Sequence, residues 1–182
     1  MSVEEFLLWD SHDGLRYELV DGVPRAMAPP RVVHGLLQSE LGSLLRNHLR
    51  AHHTAYQVIS NPGVVPRLLS AHNFRVPDLG VTCSPVTPTQ AALIEPVLLI
   101  EILSPGNQAE TWSNVWTYTS IPTVQEILIL HSTRIAAELL RRADDGTWPE
   151  RPEQLAGGDL VLRGLDFRVP LAALYEATGL TA

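Results

Sequence analysis

Apolar residues recur at helical spacing through residues 31–50, the longest such stretch of the chain. Every third or fourth position is apolar, at Val33, Leu37, Leu41, Leu44, Leu45 and Leu49. This spacing predicts one long amphipathic helix. Shorter helices are predicted over 3–9, where Ser2 can cap the first turn, over 108–119, and after Pro170.

Runs of β-branched and aliphatic residues predict the strands. A hairpin is expected over 16–27, where Asp21-Gly22 is a typical two-residue turn. Further strands are expected over 56–60, 63–69, 75–83, 97–103, 125–131, 134–142, 161–162 and 167–169. The run 97–103 is apolar apart from Glu101, which is typical of a central strand. The predicted fold class is therefore α/β (α+β), with a central mixed β-sheet flanked by helices.

Length and composition favour a single domain. The chain has 182 residues, of which 45% are hydrophobic and 18% charged, so it can bury a substantial core. The expected parts are an N-terminal helix and hairpin (1–29), a core (30–142) and a C-terminal extension (143–182).

Charge narrows the classes of partner. Thirteen basic and twenty acidic side chains give a formal net charge of −7. This balance argues against a charge-driven DNA binder unless arginines gather on one face, for which the candidates are Arg31, Arg46, Arg50, Arg67 and Arg75. All thirteen basic residues are arginines, so no mechanism that needs a lysine amine is available to this chain.

Cysteine content and hydropathy exclude further classes. The single cysteine, Cys83, excludes an intramolecular disulfide framework and a cysteine-rich zinc site, and we expect it to be a small core residue. The apolar runs are too short to cross a bilayer, and the opening residues carry no basic segment. We therefore expect a cytoplasmic protein with no membrane partner.

Two acidic residues interrupt apolar strands that should be neighbours. Asp78 follows Val76-Pro77, and Glu101 lies inside the run 97–103. A buried carboxylate is costly unless it is paired or bound to a cation. One interpretation is a salt bridge to an arginine. The other is a site for a hard cation such as Mg²⁺ or Mn²⁺, held by two carboxylates, a backbone carbonyl and water.

Six segments of the chain, in order, are similar to a known family. They are the opening helix at 3–7, the hairpin at 17–22, the long-helix entry at 30–34, the Pro77-Asp78 strand at 76–79, the Ile-Glu-Ile-Leu-Ser-Pro run within 96–105, and the strand at 121–130. Together they resemble the Uma-type family of proposed restriction endonucleases, within the PD-(D/E)XK nuclease superfamily. The resemblance implies a restriction-endonuclease-like core.

The resemblance also implies an activity. Asp78 and Glu101 would be catalytic metal ligands for Mg²⁺ or Mn²⁺, and Glu18 a supporting catalytic acid. The metal would polarise a phosphate oxygen and lower the pKa of an attacking water. The implied reaction is hydrolysis of phosphodiester bonds in DNA. Nucleases of this kind often cut both strands as dimers, so a homodimer is expected by analogy of fold.

The chain departs from the family at the catalytic lysine. The superfamily's lysine falls at Leu103, and the position usual in the Uma-type family falls at Asn114, on one helix face with Glu110 and Tyr118. Asparagine can orient a water, but it carries no charge and transfers no proton at neutral pH. The resemblance implies that Asn114 belongs to the catalytic set and that His34 and Tyr118 take part in substrate binding.

Three hypotheses about function remain open. The first is a metal-dependent endonuclease, in which Gln108 or Arg134 is a conceivable substitute for the lysine. The second is a catalytically degenerate member of the same fold that binds nucleic acid or a protein. The third is a structural homodimer whose acidic residues are paired with arginines.

Overall fold

A capped helix and a tight hairpin open the chain in the computed structural model, which describes residues 1–52 and 55–181. Helix α1 (Val3–Leu8) begins with a capping box, in which Ser2 and Glu5 satisfy each other's backbone N–H groups. Strands β1 (Tyr17–Val20) and β2 (Val23–Ala26) pair antiparallel around Asp21-Gly22. Both turn residues have positive φ, 51° and 83°, as a type I′ turn requires.

Six strands form the central sheet. They are β3 (Gln57–Ser60), β4 (Leu79–Thr82), β5 (Pro96–Leu103), β6 (Glu126–His131), β7 (Ala137–Arg141) and β8 (Glu153–Leu155), and their spatial order follows the chain. The β5–β6 pair is parallel and every other pair is antiparallel. The sheet is therefore mixed, as expected, and β5 is central. Helix α3 (Gln108–Tyr118) makes the crossover between β5 and β6.

Helices cover the two faces of the sheet. Helix α2 (Val32–His52) buries Leu37, Leu41, Leu45 and Leu49 against one face, as the apolar spacing predicts. Helix α3 packs on the other face. The C-terminal segment adds β9 (Asp159–Leu162), β10 (Phe167–Pro170) and a 3-10 helix (Leu171–Thr178) to the cluster under α2. The predicted α/β class with a flanked central sheet is confirmed.

Local expectations failed at three places. The strand expected over 63–69 is reduced to isolated bridges at Gly63 and Val64, since Pro66 has no N–H to continue a ladder. Cys83 is exposed rather than buried, because β4 ends at Thr82. Strand β8 was not predicted: its polar sequence has no apolar alternation, and it pairs only at the sheet edge.

Gly63 packs so closely against Phe74 and the Ala91 backbone that no side chain fits at this position. A Cβ atom there would lie 2.1 Å from Phe74 Cζ and 2.5 Å from the Ala91 carbonyl oxygen. We expect Gly63→Ala to destabilise the fold by about 3 kcal/mol, as overpacking does. The control is Gly35→Ala in α2, where a Cβ meets nothing within 4 Å and helix propensity predicts a gain of about 1 kcal/mol. Denaturant unfolding measures both changes, and equal stabilities would contradict the packing argument.

Candidate active site

Asp78 and Glu101 meet where β4 begins. The antiparallel register pairs Leu79 with Ile100, so one further step sets Asp78 across from Glu101. Alternate residues of β5 face α2, while Leu99 and Leu103 face α3, and Glu101 takes the position between these two leucines. Both carboxylates are buried, each residue being 7% exposed. The sequence pattern predicted this juxtaposition on neighbouring strands.

The N-terminal hairpin brings Glu18 to the same place. Leu19 exchanges backbone hydrogen bonds with Phe74, which fixes β1 against the segment leading to Asp78. The Val76 N–H donates to Glu18 Oε1 at 2.7 Å. Glu18 is half-buried, and it lies near enough to Glu101 for the two charges to repel.

Helix α3 supplies two residues one turn apart. The Asn114 side-chain N–H₂ donates to both carboxylate oxygens of Glu18, at 3.3 and 3.1 Å. The Tyr118 hydroxyl donates to Glu101 Oε1 at 2.6 Å. Tyr118 is fully buried and does not line the cleft, so it lies behind Glu101 rather than at a surface that a substrate could reach. Glu110, one turn before Asn114, is exposed at the cleft wall.

Helix α2 holds Asp78 from the opposite side. His34 Nε2 lies 2.7 Å from Asp78 Oδ1, and the Gln38 side-chain amide donates to the Asp78 carbonyl oxygen at 2.8 Å. The Ile102 N–H donates to Asp78 Oδ2 at 2.7 Å. Sequence reasoning missed Gln38, although its position one turn after His34 was the available signal.

The three carboxylates repel one another in a buried place. Burial raises the pKa of Glu101 well above its usual range, and the charges of Asp78 and Glu18 raise that pKa further. Burial also raises the pKa of Glu18, against the opposing effects of the Val76 N–H, Asn114 and Arg75. Within 1–52 and 55–181, none of the three forms an ion pair with an arginine. The arginine-pairing hypothesis is therefore wrong for these residues.

A cleft of about 490 Å³ opens over these side chains. Its lining includes the three carboxylates, His34 and Asn114, together with the arginines Arg16, Arg25, Arg31 and Arg75. Of the arginines proposed to gather on one face, Arg46, Arg50 and Arg67 do not line it, and neither do the two conceivable lysine substitutes, Gln108 and Arg134. Arg16 and Arg25 belong to the hairpin, and sequence reasoning missed them because their approach depends on tertiary packing.

The donor set suits a hard divalent cation. Asp78 and Glu101 offer carboxylate oxygens, which are the ligands that Mg²⁺ and Mn²⁺ prefer, and a site of this kind is completed by backbone oxygen and water. A cation would also relieve the repulsion among the acidic groups. In the described part of the chain, no three His, Cys, Asp or Glu side chains are arranged to hold a metal by themselves. The residues therefore fit a two-carboxylate site and not a closed protein cage.

The fold is shared with a solved structure. The crystal structure of "a putative nuclease belonging to DUF820" from Anabaena variabilis superimposes with a TM-score of 0.77, over 96% of this chain and 97% of that one, at 17% identity. The Uma2 family, described as "Putative restriction endonuclease", matches residues 3–172. The chain belongs to this family, as the sequence resemblance indicated.

A curated relative covers nearly the same span. It is "Uncharacterized protein slr1290" of Synechocystis sp., 29% identical in an alignment of 181 positions that covers 92% of this chain and 94% of that protein. Restriction-endonuclease-like families generally use divalent metal ions.

No helix among the described residues is long and apolar enough to cross a membrane.

The repulsion at Glu101 predicts a stabilising substitution. Glu101→Gln removes one negative charge but keeps an oxygen that accepts the Tyr118 hydroxyl. A carboxyl whose folded pKa is raised contributes most to stability below its unfolded pKa and loses that contribution as pH rises through the folded pKa. With chelator present, we expect the variant to melt above the wild type at neutral pH, by about 2–4 °C for each kcal/mol gained.

The control for this prediction is Glu110→Gln, at the exposed wall of the same cleft. Its melting temperature should stay near that of the wild type, because its carboxylate is solvated. The advantage of Glu101→Gln should shrink as the pH falls toward about 4 and be lost below it, where the Glu101 carboxyl is protonated in both the folded and the unfolded state. A variant that melts below the wild type at neutral pH contradicts the repulsion argument.

Proposed function

We propose that this chain is a divalent-metal-dependent endonuclease that hydrolyses phosphodiester bonds in DNA. The observation that carries the proposal is the convergence of Glu18, Asp78 and Glu101 in one cleft without an arginine partner. Such repulsion does not stabilise the fold, because apolar residues of similar volume at these positions would give a higher free energy of unfolding. Membership in the Uma2 family supports the same conclusion.

In this proposal, Asp78 and Glu101 hold Mg²⁺ or Mn²⁺. The ion, when bound, polarises a phosphate oxygen and makes water a stronger nucleophile. The protein fixes the two ligands in advance: His34 and the Ile102 N–H each hold one oxygen of Asp78, and Tyr118 holds one oxygen of Glu101. Tyr118 thus has a positioning role in place of the substrate contact expected from the sequence.

Glu18 and Asn114 form the remaining polar pair of the site. The Asn114 amide donates to both oxygens of the Glu18 carboxylate, which also accepts from the Val76 N–H. Asn114 therefore orients Glu18, and the amide moves no proton. His34 keeps the substrate-binding role proposed from the sequence, since it lines the cleft beside Asp78.

The arginines of the hairpin suit DNA as the substrate. Arg25 lies directly opposite Glu18 across β1 and β2, so both side chains share the hairpin face that lines the cleft. Arg16 and Arg31 lie at the same cleft, and all three arginines are exposed. Exposed guanidinium groups bind phosphate oxygens well. These arginines make one edge of the cleft locally basic. A DNA backbone can bind there although the whole chain has a net charge of −7.

The second candidate is a catalytically degenerate nuclease fold that binds nucleic acid or a protein. The observation that favours it is the absence of lysine from the chain, with Asn114 at the position where the family's lysine is usual. The homodimer and the cytoplasmic location expected from the sequence stay predictions. Sedimentation of the purified chain, with and without DNA, tests the homodimer.

Metal binding is tested by thermal unfolding. Mg²⁺ or Mn²⁺ at about 100 times its Kd should stabilise the wild type by about 2.7 kcal/mol through mass action. Asp78→Ala should lose this metal-dependent shift, because it removes a ligand. Glu176→Ala, an exposed acid outside the cleft, should keep it. Equal shifts in all three proteins contradict a site at Asp78.

Plasmid cleavage in Mn²⁺ separates the two candidates. The wild type and Glu176→Ala should cleave, while Asp78→Ala and Glu101→Ala should lose at least about 100-fold in rate, the scale of one lost electrostatic stabiliser of a transition state. A wild type that binds metal and DNA but leaves the plasmid intact contradicts the endonuclease and supports the degenerate binder. Cleavage that survives in both variants points to a contaminant.

The hairpin arginines should set DNA affinity. Arg16→Ala and Arg25→Ala should each weaken binding of a short duplex and lower the slope of log affinity against log salt by about 0.9, the value for one lost phosphate contact. The control is Arg46→Ala, an exposed arginine on α2 outside the cleft. Fluorescence anisotropy in Ca²⁺ gives affinities while cleavage is suppressed. If Arg46→Ala changes the slope as much as the cleft variants do, DNA does not bind along the hairpin.

A further inference from the structure

Arg75 is a buried cation at the cleft that no carboxylate neutralises by a direct ion pair. The residue is 3% exposed and lines the cleft with the three carboxylates. Its Nη2 donates to Asn73 Oδ1 at 3.0 Å, and its Nε is buried without a hydrogen-bond partner. No Asp or Glu among residues 1–52 and 55–181 lies within ion-pair distance of it.

The backbone fixes this arginine on two sides. Arg75 exchanges both backbone hydrogen bonds with Val64, at 2.8 and 2.9 Å. Asn73, which accepts from the guanidinium, also accepts from the Asp21 N–H and donates to the Asp21 carboxylate. The hairpin turn thus sets the position of Asn73, and Asn73 holds the guanidinium. A buried guanidinium with an unpaired Nε is costly, so its retention needs a reason outside the stability of the fold.

The guanidinium of Arg75 is suited to binding a phosphate group. In the proposed function Asp78 and Glu101 bind a divalent cation, and among residues 1–52 and 55–181 Arg75 is then a buried positive side chain at the cleft without a direct ion pair. A guanidinium is always charged and presents donors in a planar fork that matches phosphate oxygens. It supplies the fixed positive charge of a lysine at such a site but cannot transfer a proton at neutral pH.

We propose that Arg75 is the fixed cation of the active site, which donates to a non-bridging oxygen of the DNA phosphate and stabilises the negative charge that develops there. This inference rests on the proposed function, and it assigns to Arg75 the electrostatic role for which this chain has no lysine. The rival interpretation is that Arg75 acts only on Glu18, whose pKa its charge lowers.

The test uses Arg75→Gln and Arg75→Met in the full chain, with Arg46→Gln, an exposed arginine outside the cleft, as the control. Methionine fills the buried space and leaves no unpaired donor, so the fold tolerates it even where glutamine is destabilising. Thermal unfolding first establishes that each variant is folded and keeps its Mn²⁺-dependent shift. Duplex affinity in Ca²⁺ over a range of salt, and plasmid cleavage in Mn²⁺, are then measured.

We expect both Arg75 variants to lower the salt slope by about 0.9 and to cleave at least about 100-fold more slowly at saturating DNA. Arg46→Gln should keep both the wild-type slope and the wild-type rate at saturating DNA, because Arg46 is exposed on α2 outside the cleft. Arg75→Lys should recover the slope and part of the rate, since it restores the charge without the planar fork.

Two results overturn the inference. A folded Arg75→Gln or Arg75→Met with the wild-type salt slope shows that the guanidinium does not contact phosphate. A lowered slope with a wild-type rate at saturating DNA shows that Arg75 contributes only to affinity. If the wild type binds the duplex without cleaving it, the proposed hydrolysis fails, while the slope still decides whether Arg75 contacts phosphate.

Discussion

The repulsion between buried carboxylates is the constraint on which the rest of the site depends. Asp78 and Glu101 are set across from each other by the strand register, and Glu18 reaches them from a separate hairpin. Each carboxylate is then held by hydrogen bonds: the Ile102 N–H and His34 contact Asp78, and Tyr118 donates to Glu101. The Val76 N–H and Asn114 donate to Glu18. Within residues 1–52 and 55–181 no arginine forms an ion pair with them, so their negative charge can attract a cation.

The fold separates Asp78 and Glu101 from the segments that carry the arginines at the cleft. Asp78, just before β4, and Glu101, on β5, are fixed inside the core with α2 and α3 on either face, whereas Glu18 comes from the hairpin. The arginines come instead from the N-terminal hairpin and from Arg75, on a segment tied to that hairpin through Asn73. Binding of a polyanion can therefore be altered by changes in the hairpin while the metal-ligand geometry, which belongs to the sheet, is kept.

Sequence predicted the parts of this site that local patterns determine. Asp78 and Glu101 stand out because each interrupts an apolar strand, and the hairpin follows from Asp21-Gly22. Gln38 and Arg75 did not stand out, because their roles depend on neighbours that only the tertiary fold supplies. Gln38 meets a carbonyl 40 residues away, and burial of Arg75 depends on the hairpin packing over it.

A lysine amine usually supplies both a fixed positive charge and an exchangeable proton. This chain has no lysine, so the two contributions have to come from different groups. Asn114, which the sequence resemblance aligns with the family's lysine, donates to Glu18 and offers neither. Arg75 offers the charge alone, because a guanidinium stays protonated at any working pH. A site built this way, if it cleaves DNA, has to pass the proton of the attacking water to a carboxylate or to solvent. Within the proposed function, Glu18 is the candidate for that task, because it lines the cleft beside the proposed metal ligands and burial raises its pKa.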